Sequence, residues 1–451
     1  MKMQYYAKSP VFGRDGRFDQ IIDMTEDIRE VENQVINLYP EITYEKFEGF
    51  GGAITEAAAY IYSLMNEEEK KQVIETYFSP KQMNYQLVRI HMDSCDFSLD
   101  MYEAMSDPED TKLNSFSFER TEKYIIPMLK DAQKASKGNL KLMLTPWSPP
   151  AFMKTNGKRT GGGKLKPEYR NLWAEYICRY IREFKDRGFE VQRISVQNEP
   201  KAVQTWDSCL FTAEEEKEFL RDHLYPAMKK HGYEGIEVFI WDHNKERIYE
   251  RVRDTVDEET KQMITGAAFH WYSGDHFEGL DLVRRMYPDM KLIMSESCLE
   301  YSIFDEKNIN SVTNRLCHEI IGDLQAGMCA FYDWNLLLDE KGGPNHVGNY
   351  CHAPFLYDTV EHKLMPQKTQ EQFYMFSHFI LPGSVRIAST KYTEQIDEVA
   401  YLTPENKIVV LLLNKSDQIL SVNIRLNGKI GSLLLAPELL SVCQIEPMVF
   451  R

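Results

Sequence analysis

The chain contains no run of about 18 apolar residues, the length that crosses a bilayer, so no membrane-spanning helix is expected. Its eight cysteines stand singly, at Cys95, Cys178, Cys209, Cys298, Cys317, Cys329, Cys351 and Cys443. No CxxC pair occurs, and the spacings suit neither a disulfide framework nor a zinc site. Buried, reduced thiols in a cytoplasmic protein are the expectation. Cations are also scarce: 53 Lys and Arg face 69 Asp and Glu, a formal net charge of −16. That surplus repels phosphate backbones and anionic lipid, which disfavours nucleic-acid and membrane-surface partners. The first residues, with Lys2, Lys8, Arg14 and Asp15, lack an apolar h-region and do not read as a secretory signal. No repeat or low-complexity tract is present.

What remains is ample for a folded enzyme. The 451 residues are 43% hydrophobic and 12% aromatic, enough for a large buried core. At about 150 residues per domain the length allows two or three domains, although an α/β barrel takes about 250 or more as one.

From about residue 47 to 380 two kinds of segment alternate. The first kind is short, apolar and rich in β-branched and aromatic residues. These segments are Phe47–Ile54, Tyr85–Met92, Leu140–Trp147, Val191–Gln197, Glu237–Trp241, Gly266–Tyr272, Lys291–Ser295 and Gly327–Trp334. Nearly continuous hydrophobicity, as in LKLML and EVFIW, marks parallel strands covered on both faces. The second kind is amphipathic: Ala57–Phe78, Phe118–Ser136, Pro167–Arg187, Ala213–Lys230, Glu246–Met263, Gly279–Tyr287, Val312–Gln325 and Thr369–Phe379. In Pro167–Arg187 the residues Leu172, Tyr176, Ile177, Tyr180, Ile181 and Phe184 recur at helical spacing, and Gly188 stops the run. Eight strands and eight helices in alternation predict a (β/α)₈ barrel.

After Pro382-Gly383 the pattern changes to short strands between turn signals. The strands predicted are Val385–Tyr392, Val399–Leu402, Lys407–Leu413, Ile419–Leu426, Ser432–Ala436 and Ser441–Ile445. A small antiparallel sandwich is expected there, completed by N-terminal pieces such as Val35–Leu38. The organisation predicted is therefore an α/β chain: residues 1–46 and 382–451 in an all-β sandwich, and 47–381 in the barrel.

Barrel enzymes carry their sites at the C-terminal ends of the strands. Reading those ends gives Arg89, Asp93 and Asp96 after strand 2, Trp147 after strand 3 and Asn198-Glu199-Pro200 after strand 4. Asp242 follows strand 5, His270-Trp271-Tyr272 strand 6, Glu296 strand 7 and Asp333-Trp334-Asn335 strand 8. Carboxylates, amides and indoles on one rim suit a sugar pocket. Glycoside hydrolysis needs two carboxylates flanking the scissile bond. Glu199 and Glu296 are the glutamates lying immediately at strand ends, three strands apart. Asn198 can bond a sugar 2-hydroxyl or the other carboxylate. Arg89 and the Tyr272 hydroxyl can keep Glu296 ionised, as a nucleophile requires, while the general acid must be protonated.

FEGFGGAITEAAA (Phe47–Ala59), SCDFS (Ser94–Ser98), TPWSPPAFMKTNG (Thr145–Gly157), QNEP (Gln197–Pro200), HWY (His270–Tyr272), SES (Ser295–Ser297), DWNLLLDEKGGPN (Asp333–Asn345) and FSHFILPGSVRI (Phe376–Ile387) resemble glycoside hydrolase family 30, above all its glucosylceramidase-like branch. The likeness runs from about Val35 to the end. It implies a retaining β-glycosidase with Glu199 as acid/base and Glu296 as nucleophile. It carries sugar-hydroxyl contacts onto Asp96, Trp147, Asn198, Trp334 and Asn349, and a polar set around the nucleophile onto Arg89, His270 and Tyr272. It implies no cofactor and no metal. His346 and Gly348 stand where mammalian lysosomal members of the branch have a tryptophan and an arginine, so leaving-group contacts are not carried over. With no leader read at the start, soluble glycosides are expected ahead of a membrane lipid.

Three features receive simpler readings. Lys158–Lys164 (KRTGGGK) fails the P-loop pattern and reads as a flexible active-site loop. His270, His276, His346 and His352 match no metal motif. Glu214-Glu215-Glu216 reads as the acidic first turn of a helix.

The expected activity is an exo-acting β-glucosidase working by double displacement, with carboxyl groups about 5–5.5 Å apart. β-Xylosidase, β-fucosidase and β-1,6-glucanase activities use the same pair and stand as alternatives. A carbohydrate-binding barrel without turnover is the remaining class. The partner expected is a small or oligosaccharide β-glycoside.

Overall fold

The computed structural model describes residues 1–8, 17–304 and 309–446. Packing divides the chain into two compact units. One comprises Met1–Gly49, Asp305–Cys329 and Lys368–Arg451, the other Phe50–Phe304 and Ala330–Gln367.

The first unit is built on strands from both ends of the chain. At the N-terminal end these are β1 (Lys2–Lys8), β2 (Arg17–Asp23), β3 (Thr25–Glu26) and β4 (Val35–Lys46). The second unit begins with the barrel. Its strands are β5 (Gly49–Ala53), β6 (Leu87–Met92), β7 (Lys141–Pro146), β8 (Glu190–Ser195), β9 (Glu237–Asn244), β10 (Gly266–His270), β11 (Lys291–Glu296) and β12 (Met328–Asp333). A three-stranded sheet, absent from the sequence expectation, follows: β13 (Leu337–Asp339), β14 (Phe355–Asp358) and β15 (Lys363–Pro366). The chain ends with β16 (Val385–Thr390), β17 (Ile396–Leu402), β18 (Ile408–Asn414), β19 (Leu420–Leu426), β20 (Lys429–Leu435) and β21 (Leu439–Ile445).

Strands β5 to β12 close in chain order into a barrel. Its strands are covered on both faces, and every residue of β5, β6, β10 and β12 is buried. The GFGG sequence of β5 is explained by crowding. A Cβ on Gly51 would stand 1.9 Å from the Leu87 carbonyl oxygen of β6, so only glycine fits. Helix Arg170–Asp186 buries Leu172, Tyr176, Ile177, Tyr180, Ile181 and Phe184, the stripe seen in the sequence. It ends before Gly188, whose φ of +83° takes the left-handed conformation typical of a helix stop.

The C-terminal strands and the N-terminal strands form one ten-stranded array, in the order β2-β1-β21-β18-β17-β16-β4-β19-β20-β3. Met3, Ile36, Val410, Ile424 and Cys443 meet in its core. The Asn427-Gly428 turn joins β19 to β20 as a two-residue hairpin, with φ of 51° and 74°, the conformation that matches strand twist. The domain limits 47 and 381 expected from strand alternation differ from the division by packing. Helices Ile309–Ala326 and Lys368–Phe379 fall in the sandwich unit. Gln325 donates to the Glu398 carbonyl at 2.7 Å and Asn314 to the Glu438 carbonyl at 3.1 Å, tying the first helix to the sheet. All eight cysteines are buried, and none of them joins a disulfide. Among the described residues no helix is long and apolar enough to cross a membrane.

Candidate active site

A pocket of about 180 Å³ opens at the C-terminal ends of the barrel strands. Of the ten residues singled out from sequence, eight line it: Asp96, Trp147, Asn198, Glu199, Tyr272, Glu296, Trp334 and Asn349. Arg89 and His270, expected in the polar set around the nucleophile, do not line the pocket. Both are fully buried behind the carboxylates and act on those instead.

Glu296 ends β11. Arg89 Nη1 donates to its Oε2 at 2.5 Å, and the Tyr272 hydroxyl to its Oε1 at 2.9 Å. The other Arg89 nitrogen, Nη2, donates to Asn198 Oδ1 at 2.8 Å and to Asp242 Oδ2 at 3.0 Å. With its amide oxygen engaged, Asn198 has its NH₂ left to offer a sugar hydroxyl. The Arg89 guanidinium also stacks over the ring of Trp147 at 4.8 Å. Trp147 and Trp334 stack on each other with centroids 5.4 Å apart. Asn345 and Asn349 donate to Asp96 Oδ2 at 3.1 and 3.4 Å. Burial, with the Glu296 charge adding to it, raises the Asp96 carboxyl to about 8.

Glu199 lies across the pocket. His243 Nδ1 and His270 Nδ1 stand 3.5 and 3.4 Å from its Oε1. Burial pushes this carboxyl up, but the two imidazoles outweigh burial and hold it well below the usual range. His270 Nε2 meets Asp242 Oδ1 at 3.1 Å. Burial lowers His270, yet Glu296, Asp242 and Glu199 together raise it to about 9. His270, beside Glu199, is thereby favoured as the cation at neutral pH. Glu199, His243 and His270 also bring three ligand atoms within 4.8 Å of one another. A divalent ion could bridge that spacing only by displacing the His270 proton.

Several site residues escaped the sequence reading. His243, Asn244, Gln204, Trp206, Cys298, Glu300 and Cys351 all line the pocket. His243 was hidden by a bulge. Ala268 and Phe269 of β10 pair with Trp241 and His243 of β9, so Asp242 is the extra residue. Simple alternation would send Asp242 and His243 to opposite faces; the bulge lets both act on the site. The only sequence signal for Trp206 was its place in the loop after Glu199.

The KRTGGGK segment does not line the pocket and is firmly held. Arg159 is buried and pairs with Asp207 at 2.6 Å and Asp93 at 3.2 Å. Gly161 N–H donates to the Gln204 carbonyl at 2.8 Å. The segment is thus a brace beneath the Gln204–Trp206 stretch, correcting the expectation of a flexible loop. Glu214, Glu215 and Glu216 form the acidic first turn of helix Ala213–Phe219, as expected, and Glu216 has a further part. It is buried, accepts the Trp241 N–H at 3.1 Å and pairs with Arg251 at 2.9 Å, which fastens β9.

The backbone is strained past the ends of three strands, at Asp93, Glu199 and Asn335, and at the β9 bulge, at Asp242. Asp93, Glu199, Asp242 and Asn335 adopt φ of 59°, 45°, 45° and 63°, the left-handed region that costs non-glycine residues energy.

A parallel barrel whose rim carries two carboxylates, an arginine held on one of them, paired indoles and amides is the architecture of a glycoside hydrolase. Residues 47–380 match the glycosyl hydrolase family 30 TIM-barrel domain and residues 383–438 the glycosyl hydrolase family 30 beta sandwich domain. The chain belongs to glycosyl hydrolase family 30. It is 30% identical over 402 residues to the lysosomal acid glucosylceramidase of Mus musculus, covering 85% of this chain and 78% of that protein. It is 24% identical over 393 residues to endo-1,6-beta-D-glucanase neg1 of Aspergillus fumigatus, covering 81% and 78%. Among solved structures, SrfJ from Salmonella typhimurium superposes with a TM-score of 0.95 at 34% identity, covering 99% of this chain and all of that one. The endo-beta1,6-glucanase BT3312 shares the fold, with a TM-score of 0.87 at 22% identity, covering 99% and 100%.

Proposed function

We propose that this family 30 hydrolase is a retaining, exo-acting β-glucosidase. One observation carries the reading: Glu296, held by Arg89 and Tyr272, faces Glu199 across a small pocket. Arg89 sets a positive charge against the attacking carboxylate. Glu296 attacks the anomeric carbon while Glu199 gives a proton to the glycosidic oxygen, and a glycosyl-enzyme forms. Glu199, now ionised, takes a proton from water, which releases the sugar with retained configuration. His270 supplies the proton that Glu199 must carry before the first step. Formation of the ester removes the Glu296 charge, one of the charges that raise His270.

The pocket volume of about 180 Å³ lies below the roughly 300–1,000 Å³ of drug-sized ligand sites. That favours one sugar ring over a bound chain. Asp96, Asn198 and Asn349 face this volume and suit the hydroxyls of a hexose. The Aspergillus fumigatus relative named as an endo-1,6-beta-D-glucanase favours the second reading, cleavage within a β-1,6-glucan. The experiment is a panel of nitrophenyl β-glucoside, β-xyloside and β-fucoside alongside glucosylceramide, gentiobiose and β-1,6-glucan. Release of glucose from the nitrophenyl glucoside and from gentiobiose is expected. Turnover of polymer without the small glucosides would overturn the exo reading.

A further inference from the structure

Two imidazoles converge on one oxygen of the proposed acid. His270 Nδ1 and His243 Nδ1 stand 3.4 and 3.5 Å from Glu199 Oε1. Both nitrogens are buried, and neither has a hydrogen-bond partner among the described residues. The spacing exceeds the roughly 2.7–3.2 Å of an N–H···O bond. It matches a different geometry. Bonds of about 2.0–2.2 Å from nitrogen or carboxylate oxygen to zinc put neighbouring ligand atoms about 3.3–3.5 Å apart around a tetrahedron. All three ligand atoms lie within 4.8 Å of one another. His243, with 15% of its side chain exposed against none for His270, has the room to turn and close the widest gap.

The surroundings suit an ion as well. A metal-bound imidazole ordinarily gives its other N–H to a carboxylate, which fixes the ring. His270 Nε2 faces Asp242 Oδ1 at 3.1 Å, and Asp242 is held in turn by Ser295 and Arg89. Glu199, Asp242 and Glu296 face the single guanidinium of Arg89, so a divalent cation takes over the charge balance that a proton on His270 provides. Glu199 and His243 also line the pocket, which leaves a further coordination position open to it. Two histidines and a glutamate with one open position are a donor set of hydrolytic zinc sites. Here the glutamate is the acid of the glycosidase reaction.

We infer that Glu199, His243 and His270 bind a zinc ion reversibly, and that the bound ion silences the enzyme. The silencing rests on the glucosidase reading, in which Glu199 must carry and return a proton; the site itself does not. The ion displaces the His270 proton to solvent and occupies Glu199 Oε1. A carboxylate held on zinc takes up no proton near neutral pH, so it can neither protonate the glycosidic oxygen nor activate water.

The test titrates the chelator-treated full chain with zinc by calorimetry, unmodified and as His243→Gln, Glu199→Gln and His276→Gln, with folding checked by Tm. Zinc affinity should fall at least about tenfold in His243→Gln and in Glu199→Gln, as the loss of a ligand requires. It should hold in His276→Gln, since that histidine lies outside the cavity lining. Cobalt(II) in place of zinc should give the visible bands of a four-coordinate ion in the unmodified protein and in neither ligand variant. Zinc should lower kcat/KM on gentiobiose at least about tenfold, with EDTA restoring it. No zinc binding to the unmodified protein, or equal binding by both ligand variants, would overturn the site. Zinc bound at these residues with gentiobiose turnover unchanged would overturn the silencing. Absence of any β-glucoside turnover in the unmodified, zinc-free enzyme would instead sink the glucosidase reading, and calorimetry and the cobalt spectrum would still decide the metal site.

Discussion

Arg89 and Glu296 form an ion pair, Nη1 to Oε2 at 2.5 Å, with the arginine wholly enclosed. The same guanidinium pairs with Asp242 at 3.0 Å. Replacing Arg89 with Met would take the guanidinium from both carboxylates and leave His270 as the one ion-pair partner of Asp242 among the described residues. A loss of about 3–5 kcal/mol in unfolding free energy is expected, the usual result of removing one partner of a buried pair. Chemical denaturation measures it; a change under about 1 kcal/mol would mean that the pair contributes little to the fold.

The two glutamates should respond differently to mutation. Glu296→Gln should reduce kcat by about 10⁴-fold or more on every substrate, since the bond-forming group is gone. Glu199→Ala should spare nitrophenyl glucoside far more than gentiobiose, because only a poor leaving group needs a proton. Steady-state kinetics on both substrates decides the roles. Equal losses on both would mean that Glu199 is not the acid.

His270 links pH to stability. Its folded value of about 9 lies above its ordinary value of 6.5. A raised cation stabilises the fold fully below the ordinary value and loses that contribution as pH rises through the folded one. The gap in Tm between the unmodified protein and His270→Gln should therefore be widest near about pH 6 and shrink as pH passes about 9. A pH-independent gap would show that the charge plays no part.

Asp96 runs the other way. Its carboxyl sits near 8 in the fold against an ordinary 3.8. Folding must then take up a proton at neutral pH, a penalty absent below about 3.8 that grows until about 8. Asp96→Asn removes it. The variant should melt higher than the parent at about pH 8 while kcat/KM drops about 100-fold or more through the lost sugar contacts. A lower Tm would mean that Asp96 is not held as the neutral acid.

Most of the barrel was legible because its strands are buried on both faces and so read as short apolar runs. The rim was legible because a (β/α)₈ barrel puts its chemistry at one end of every strand. Arg89, Glu199, Glu296 and Tyr272 could be paired in thought before any coordinate. His243 could not, because a one-residue bulge changes facing without changing composition. Nothing in the sequence marks Arg159 and Glu216 as buried. Their burial depends on partners far along the chain, Asp207 and Asp93 for one and Arg251 for the other.

The left-handed turn at Glu199, which no buried arginine pairs with, has a practical outcome. It departs from the conformation that its side chain prefers, by roughly 1–3 kcal/mol for such positions, so glycine there would relax the chain. A search for heat-resistant variants judged on melting alone would drift towards that relaxed sequence. It would enrich molecules that are sturdier and inert. Breeding this enzyme for durability therefore requires that turnover be scored in every round.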